Sequence, residues 1–295
     1  MEKVLEINQL SKSYGKILAI NNISFTVKRG EVYGILGPNG SGKTTTLAVV
    51  LDILKANAGD YKWFDKPMDK FTRRRIGSLI ETPNFYPYLS LWENLKIVAK
   101  IKDAPDDDIN YALGVSNLLK RKHSAYNTLS LGMKQRLAIA SVLVGNPEVL
   151  VLDEPTNGLD PEGFAEVRNI IQAQANEGKT IILASHILDE VEKVCSHVAI
   201  LKSGDLIANG RVGELLTTDD MVFVQSDKMD ELEKILNQAG FVKNSFKMDN
   251  DLAVVLDSGY SATDLNKFCF DKDIILSKVL LKKQSLEDQF LQLVK

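Results

Sequence analysis

A glycine-rich run near residue 40 has residue types and a spacing that can hold phosphate groups. It reads Gly-Pro-Asn-Gly-Ser-Gly-Lys-Thr over residues 37–44 and fits the pattern G-x-x-x-x-G-K-[ST]. Glycines allow backbone N–H groups to turn towards phosphate oxygens, and a helix that follows directs its positive end at the same phosphates. We expect Lys43 to reach the β- and γ-phosphates of a nucleotide and the Thr44 hydroxyl to bind Mg²⁺. The predicted nucleotide-binding residues here are Gly37, Pro38, Asn39, Gly40, Ser41, Gly42, Lys43, Thr44 and Thr45.

Two adjacent acids end a later apolar run. Residues 149–152 are Val-Leu-Val-Leu, and Asp153 and Glu154 follow directly. Successive side chains of a strand point to opposite sides, so Asp153 can hold Mg²⁺ through water while Glu154 polarises an attacking water molecule. An ordinary acidic strand end has the same appearance in isolation. The glycine-rich run upstream favours the catalytic interpretation.

The elements around these residues alternate between short strands and helices. Residues 31–36 form a predicted strand that leads straight into the glycine-rich run, and residues 44–54 have helical spacing. Further strands are predicted at 76–80, 149–152, 180–184 and 197–201, and further helices at 162–175 and 188–194. This order predicts an α/β fold with a mostly parallel core sheet, preceded by an antiparallel β part within residues 5–27.

Two other regions have a different character. Residues 83–146 are predicted to form a helical subdomain, with helices at 91–101, 106–113 and 131–144. Beyond residue 217 the predicted order is β-α-β-β-α-β, the ferredoxin-like arrangement, followed by a helix at 286–294. The predicted strands are 221–225, 241–246, 251–256 and 274–281, and the predicted helices between them are 229–238 and 262–270. The sequence thus predicts domains at 1–217 and 218–295, the second a small α+β domain.

Composition narrows the class of protein. The 295 residues include 36 Lys plus Arg and 39 Asp plus Glu, a net charge of −3, which does not favour a nucleic-acid partner. A spanning helix needs about 20 consecutive apolar residues, and the apolar runs are far shorter; acids at positions 2 and 6 also disfavour a signal peptide. Cys195 and Cys269 fit no metal spacing and are expected to be unpaired thiols in a reducing compartment.

Several further motifs identify the chain as resembling the ATP-binding subunits of the ABC transporter family. The resemblance covers about residues 5–212, with the glycine-rich run as the P-loop and residues 149–154 as the acidic strand. The other motifs are Leu129-Ser130-Leu131-Gly132-Met133 followed by Lys134-Gln135-Arg136, which resembles the signature LSGGQ and its basic helix, Asn157-Gly158-Leu159-Asp160, which is similar to the D-loop, and Ser185-His186, which is similar to the switch histidine.

The resemblance implies a role for each motif. Tyr14 stands where the family has an aromatic ring that stacks on adenine; as an alternative, it is an exposed turn tyrosine. His186 is expected to contact the γ-phosphate. Ser130 precedes a helix, so its hydroxyl, the Gly132 N–H and the helix dipole form an anion site. In the family this site closes on the ATP of a second, head-to-tail copy, and Asp160 belongs to the nucleotide-binding residues.

The chain departs from the family pattern at three positions. Leu131 and Met133 replace Gly and Gln of the signature, and Glu81 stands where the family usually has Gln near Mg²⁺ and the permease. The segment IETPNFYPYLS together with LSLGMKQRL resembles the bacitracin-resistance and lantibiotic self-protection transporters. Glu81 is therefore expected to bind the metal or link it to the permease; the alternative is a solvated loop acid. The aromatic residues Phe85, Tyr86, Tyr88 and Trp92 either pack the helical subdomain or line a groove for a permease helix.

The function implied by the resemblance is ATP hydrolysis that drives a membrane permease on a separate chain. Two copies are expected to hold two Mg-ATP between them, at the cytoplasmic face of the cell membrane. The cargo implied is an antimicrobial peptide. The alternatives are a soluble ABC-type ATPase of ribosomes or DNA and the ATPase of a peptide-sensing complex.

Overall fold

The computed structural model describes residues 2–81, 84–215, 221–248, 250–257 and 259–282. It divides the chain into two compact units, Met1–Val212 and Gly213–Lys295. The domain boundary predicted after residue 217 falls among residues 216–220, outside the described ones. Among the described residues, no helix is long and apolar enough to cross a membrane.

The first unit contains two sheets and the helices around them. Its strands are β1 (Lys3–Tyr14), β2 (Ile17–Lys28), β3 (Val32–Leu36), β4 (Ala58–Trp63), β5 (Ile76–Leu79), β6 (Val149–Asp153), β7 (Thr180–Ser185), β8 (His197–Lys202) and β9 (Asp205–Arg211). Its helices are α1 (Lys43–Val50), α2 (Lys70–Arg74), α3 (Leu91–Lys102), α4 (Asp106–Val115), α5 (Leu131–Leu143), α6 (Pro161–Asn176) and α7 (Leu188–Val194), and a single turn, α8 (Val212–Leu215), follows at the unit boundary. The predicted α/β class is confirmed.

The larger sheet has the strand order β5-β6-β7-β3-β8-β9, in which only β9 is antiparallel to its neighbour. Every residue of β3, β6 and β7 is buried, which explains their continuous apolar runs. The antiparallel sheet β2-β1-β4 lies over it, with side chains such as Ile23 and Trp63 in the same core cluster as Ile35 and Val151.

The strand order places the segments that follow β3, β6 and β7 side by side at one end of the larger sheet. β7 lies between β6 and β3, with Asp153 opposite Ala184 and Leu36 opposite Ser185. The carboxyl ends of β3, β6 and β7 are therefore neighbours. Ligands of open α/β sheets bind at such an edge.

The helical subdomain comprises α3, α4 and α5. A reciprocal capping box of Ser90 and Glu93 starts α3. At the other end of α3, Lys102 Nζ donates hydrogen bonds to the carbonyl groups of Ser141, Val142 and Val144, where α5 ends. Burial lowers the pKa of Lys102 to about 8. The last carbonyls of α5 thus find donors within the subdomain.

The second unit has the predicted β-α-β-β-α-β order. Its elements are β10 (Met221–Gln225), α9 (Met229–Asn237), β11 (Val242–Met248), β12 (Asp251–Leu256), α10 (Ala262–Asp271) and β13 (Lys278–Lys282). The strands pair antiparallel in the order β11-β12-β10-β13. One face of this sheet packs against α9 and α10 through Val222, Val224, Leu232 and Leu265. The helix predicted at 286–294 lies outside the described residues.

Several predicted bounds were wrong. The helix predicted at 44–54 ends at Val50, because Leu51 caps it, Asp52 adopts φ +60°, and Leu54 turns into the core. The strand predicted at 274–281 begins only at Lys278, since Ile274 packs with the α10 cluster. Strand β4 and the one-turn helix α2 were missed; most residues of β4 are exposed, and α2 has only an Asp69 cap as a signal.

Candidate functional site

The glycine-rich run forms a tight loop between β3 and α1. A Cβ atom at Gly37 would overlap the Leu201 carbonyl oxygen and the Ser41 hydroxyl, and one at Gly42 would overlap the Ala19 carbonyl oxygen. Both glycines have positive φ, +156° and +105°. The loop therefore requires glycine at these two positions, and it runs directly into the N-terminus of α1.

Lys43 is almost fully buried inside this loop. Its Nζ donates hydrogen bonds to the carbonyl oxygens of Gly37, at 2.8 Å, and Pro38, at 3.3 Å. The same atom lies 3.3 Å from Oε1 of Glu154. Oε1 has no directed hydrogen bond among the described residues, so this contact is an ion pair. One ammonium group therefore joins the loop to the acidic end of β6.

Glu154 is also paired with the histidine that follows β7. His186 Nδ1 lies 2.8 Å from Glu154 Oε2. An ionised carboxylate only accepts hydrogen bonds, so Nδ1 carries the proton in this pair. The backbone of Glu154 has φ +45° and its N–H donates to the Ala184 carbonyl, which anchors the turn against β7. The two predicted catalytic residues are thus in direct contact.

Asp153 lies beside Thr44 at the base of the loop. Burial raises the pKa of Asp153, and the negative charges of Glu154 and Glu81 raise it further, while a hydrogen bond from Thr44 opposes this. Its Oδ1 is buried and has no hydrogen-bond partner in the described part of the chain. These oxygen atoms are the kind of donor that a hard divalent cation prefers.

A cavity of about 420 Å³ opens from these acids towards α5. Thr44, Asp153 and Glu154 line it on one side, together with the exposed Glu81, which follows β5 with φ +59°. The opposite wall comes from one face of α5, at Leu131, Lys134, Gln135 and Ala138. Sequence reasoning missed Lys134 and Gln135 as site residues. Their spacing of i+3 and i+4 from Leu131 was the available signal.

The signature residues Ser130, Gly132 and Met133 line a second cavity, also of about 420 Å³, and Leu131 lines both cavities. Ser130 caps α5, and its Oγ accepts a hydrogen bond from Met133 N at 3.3 Å. Gly132 has open space where a side chain would be. Across the cavity Asp160 caps α6 by accepting from Gly163 N at 2.9 Å. Within one chain, Ser130 and Gly132 thus line a cavity apart from the one that holds Thr44 and Asp153.

Known proteins are similar to this chain over its whole length. A sequence model of the ABC transporter family matches residues 20–157. The bacitracin transport ATP-binding protein BcrA of Enterococcus faecalis is 32% identical over 300 residues, all of this chain and 97% of that protein. The chain belongs to the ABC transporter family. Members of this family are ATP-binding subunits that hydrolyse ATP to power transport.

Two further relatives of this ABC ATP-binding subunit are informative. The lantibiotic transport ATP-binding protein SrtF of Streptococcus pyogenes is 39% identical over 207 residues, 69% of this chain and 89% of that one. The structure of cbiO1 from Clostridium perfringens, part of the ABC transporter complex cbiONQ, has a TM-score of 0.67 and 31% identity. It covers 81% of this chain and 96% of that one. Both the resemblance and the fold class predicted from sequence are confirmed.

Tyr14 of the ABC ATP-binding subunit is the last residue of β1. The residue is 47% exposed, with Lys12 Nζ 5.4 Å from the ring centroid. The β1–β2 hairpin touches the glycine-rich loop, where Ala19 leaves room only for glycine at position 42. The ring is thus available for stacking and belongs to a hairpin that contacts the loop.

The aromatic residues after Glu81 in the ABC subunit were expected either to pack the helical subdomain or to line a groove for a permease helix, and they fall into two pairs. Phe85 is half-buried against Tyr126, with ring centroids 5.3 Å apart, and Trp92 is half-buried under Lys122. Tyr86 and Tyr88 are exposed and contact each other edge to face. The first pair belongs to the packing of the subdomain, and the second forms surface.

Proposed function

We propose that two copies of this ABC ATP-binding subunit face each other head to tail and bind two Mg-ATP between them. The observation that carries this proposal is that two half-sites line different cavities of one chain, which share only Leu131 among their lining residues. Lys43, Thr44 and Asp153 belong to the phosphate-loop side, whereas Ser130 and Gly132 line another cavity. A two-fold dimer joins each half to its complement on the other copy.

Each nucleotide takes residues from both copies. The backbone of residues 37–45 surrounds the phosphates, Lys43 binds the β- and γ-phosphates, and Tyr14 stacks on adenine. From the partner, the Ser130 hydroxyl and the start of α5 meet the γ-phosphate, and Asp160 lies at the interface. We assign this chemistry to residues 1–217, since residues 218–295 carry none of the proposed site residues.

The acidic end of β6 fits a magnesium ion. Asp153 offers a buried carboxylate oxygen that lacks a partner among the described residues, and the Thr44 hydroxyl is bonded to the same carboxylate. Glu81 adds a third oxygen donor from the cavity wall. The ion supplies neutralisation of charge on the β- and γ-phosphates. Glu81 carries a negative charge where the family usually has the neutral amide of Gln, and this charge adds to the attraction for the cation.

Hydrolysis requires Glu154 to act on a water molecule. Phosphate oxygens compete with Glu154 for the Lys43 ammonium, so nucleotide binding frees the Glu154 carboxylate to accept a proton from water. His186 holds the other carboxylate oxygen at 2.8 Å and thereby orients it. His186 also lies at the edge where the γ-phosphate is expected. Its role is to link the position of the carboxylate to the presence of that phosphate.

The cycle of dimer closure and opening drives a permease on a separate chain, at the inner face of the cell membrane. We infer an antimicrobial peptide as cargo, supported by the names of the bacitracin and lantibiotic relatives. Tyr86 and Tyr88 offer an exposed aromatic surface for the permease.

Purification of the tagged chain from native membranes tests this assignment. We expect a co-purifying protein with several apolar segments of about 20 residues. In lipid, bacitracin or a lantibiotic should then stimulate ATP hydrolysis by the complex. Recovery of ribosomes or DNA in place of a membrane protein would contradict the proposal. Stimulation by peptide without any peptide movement across vesicles would indicate a sensing complex.

A further inference from the structure

An arginine outside the recognised motifs contacts the signature helix. Arg121 ends a 3₁₀ turn, Leu119–Arg121, and its side chain is exposed. Its Nη1 donates to Sδ of Met133 at 3.3 Å. Met133 is the third residue of α5 and lines the signature cavity. The contact places the guanidinium group at the first turn of α5.

Among the described residues, this contact leaves most of the hydrogen-bonding capacity of Arg121 unused. A guanidinium has five N–H donors, and a thioether is a weak acceptor. Within the described ranges, no carboxylate lies within 4.0 Å of Arg121. The thioether therefore positions the group without neutralising it.

Among the described residues that line the signature cavity, no cation is free to bind an anion. Three carboxylates line it, those of Asp160, Glu162 and Glu166, and one guanidinium, that of Arg136. Arg136 is already paired with Glu166 at 3.1 Å and donates to the Ser116 carbonyl at 3.3 Å. An excess of negative charge opposes the binding of a phosphate group. A positive group beside this rim would offset that negative charge.

The position of Arg121 is unfavourable without an anion. The N-terminus of a helix carries a partial positive charge, so a guanidinium beside the first turn of the 13-residue α5 is repelled. An anion between the two groups reverses the sign of both interactions. An anion held by the Ser130 hydroxyl and the N–H groups of α5 would therefore also attract Arg121.

We propose that Arg121 binds the triphosphate of the ATP held by the partner subunit. This inference rests on the proposed head-to-tail dimer and adds to it a nucleotide-binding residue supplied in trans. The thioether of Met133 positions the guanidinium, at the signature position where the family has Gln. Binding through Arg121 makes dimer formation more sensitive to salt.

The test uses the full chain with Glu154→Gln, so that ATP is not consumed. Sedimentation measures the ATP concentration at half-maximal dimer formation. Arg121→Gln should raise it about tenfold and Arg121→Lys by less, because a lysine keeps the charge but not the fork of donors. Lys120→Gln is the matched control, an exposed neighbouring cation, and should change it less than about twofold. ADP affinity of the monomers by calorimetry should stay unchanged, which shows that the variants are folded.

A Ser130→Ala variant in the same assay distinguishes failure of the role of Arg121 from failure of the proposed head-to-tail dimer. If Ser130→Ala weakens dimer formation while Arg121→Gln behaves like Lys120→Gln, the role of Arg121 is overturned and the composite site stands. If neither Ser130→Ala nor Arg121→Gln has an effect, both are overturned. We also expect salt to have a smaller effect on Arg121→Gln than on its parent. Between 0.1 and 0.5 M KCl, the ATP concentration at half-maximal dimer formation should rise less in this variant.

Discussion

The Nζ atom of Lys43 lies 3.3 Å from Oε1 of Glu154, so the lysine of the phosphate loop and the acid after β6 form an ion pair within one chain. Both side chains are largely buried, 6% and 20% exposed. A phosphate that draws Lys43 away leaves Glu154 with His186 as its remaining partner. The pair thus connects the arrival of the nucleotide with the release of the carboxylate.

Replacing Lys43 removes both functions of this ammonium group. Lys43→Ala should weaken ATP binding and abolish hydrolysis, since the loop loses its cation and the remaining donors are mostly backbone groups. Calorimetry measures the affinity, and circular dichroism checks the fold. An ATP affinity equal to that of the unaltered chain would contradict the assignment.

Replacing Glu154 should separate binding from hydrolysis. Glu154→Gln keeps the shape of the side chain but cannot take a proton, so the rate should fall at least about a hundredfold. ATP binding should persist and hold the dimer closed. Phosphate release gives the rate, and size exclusion with MgATP gives the oligomeric state. Turnover close to that of the native chain would remove Glu154 from the role of base.

Glu81 tests the departure from the family pattern. Glu81→Gln should keep basal hydrolysis within about tenfold, because Asp153 and Thr44 still hold the metal. Glu81→Ala should lower it further and also reduce stimulation by the permease. The measurement compares both variants with the native chain, alone and with the permease in lipid. Equal basal and stimulated rates for Glu81→Ala would make Glu81 a solvated loop acid.

Acid should weaken the first unit through Glu148. Hydrogen bonds from Arg75 and then Arg29 lower the pKa of Glu148 to about 2 in the folded chain, from 4.5. The folded pKa is depressed, so the stabilisation is present above about pH 4.5 and is lost as the pH falls towards 2. Glu148→Gln should reduce the free energy of unfolding at pH 7 by about 1 kcal/mol, discounted because the side chain is 39% exposed.

Urea unfolding followed by tryptophan fluorescence measures this effect. Both tryptophans, Trp63 and Trp92, belong to the first unit. The difference between Glu148→Gln and the native chain should shrink below pH 4. Glu231→Gln, in an exposed pair with Lys228 on the second unit, is the control and should leave the transition unchanged. A constant difference at every pH would rule out titration of Glu148 as the cause.

The motifs predicted most of the site because sheet topology converts sequence order into proximity. A strand followed by glycines, a strand ending in Asp153 and a strand followed by His186 must meet if the strands are parallel neighbours. The pairing of Leu36 with Ser185 and of Asp153 with Ala184 has this outcome. Local spacing could not predict the 3.3 Å contact of Lys43 with Glu154, which depends on side-chain rotamers.

The motifs could not predict contacts between residues of separate helices. Arg121 and Met133 are twelve positions apart, and only the 3₁₀ turn and the packing of the subdomain bring them together. The early end of α1 at Val50 also has a tertiary cause, since Leu54 packs into the core instead of extending the helix. Such features depend on packing against distant residues.

Mixing two inactive variants tests most directly whether the sites are composite. Ser130→Ala chains and Lys43→Ala chains each form dimers in which both sites are damaged. A mixed dimer has one site with Lys43 and the partner's Ser130 both intact, so ATP hydrolysis should return in part on mixing. Glu154→Gln with Lys43→Ala is the matched control and should regain nothing, because those two residues serve the nucleotide of their own chain. If the mixture of Ser130→Ala and Lys43→Ala is as inactive as this control, Ser130 does not act across the dimer and the head-to-tail account is wrong.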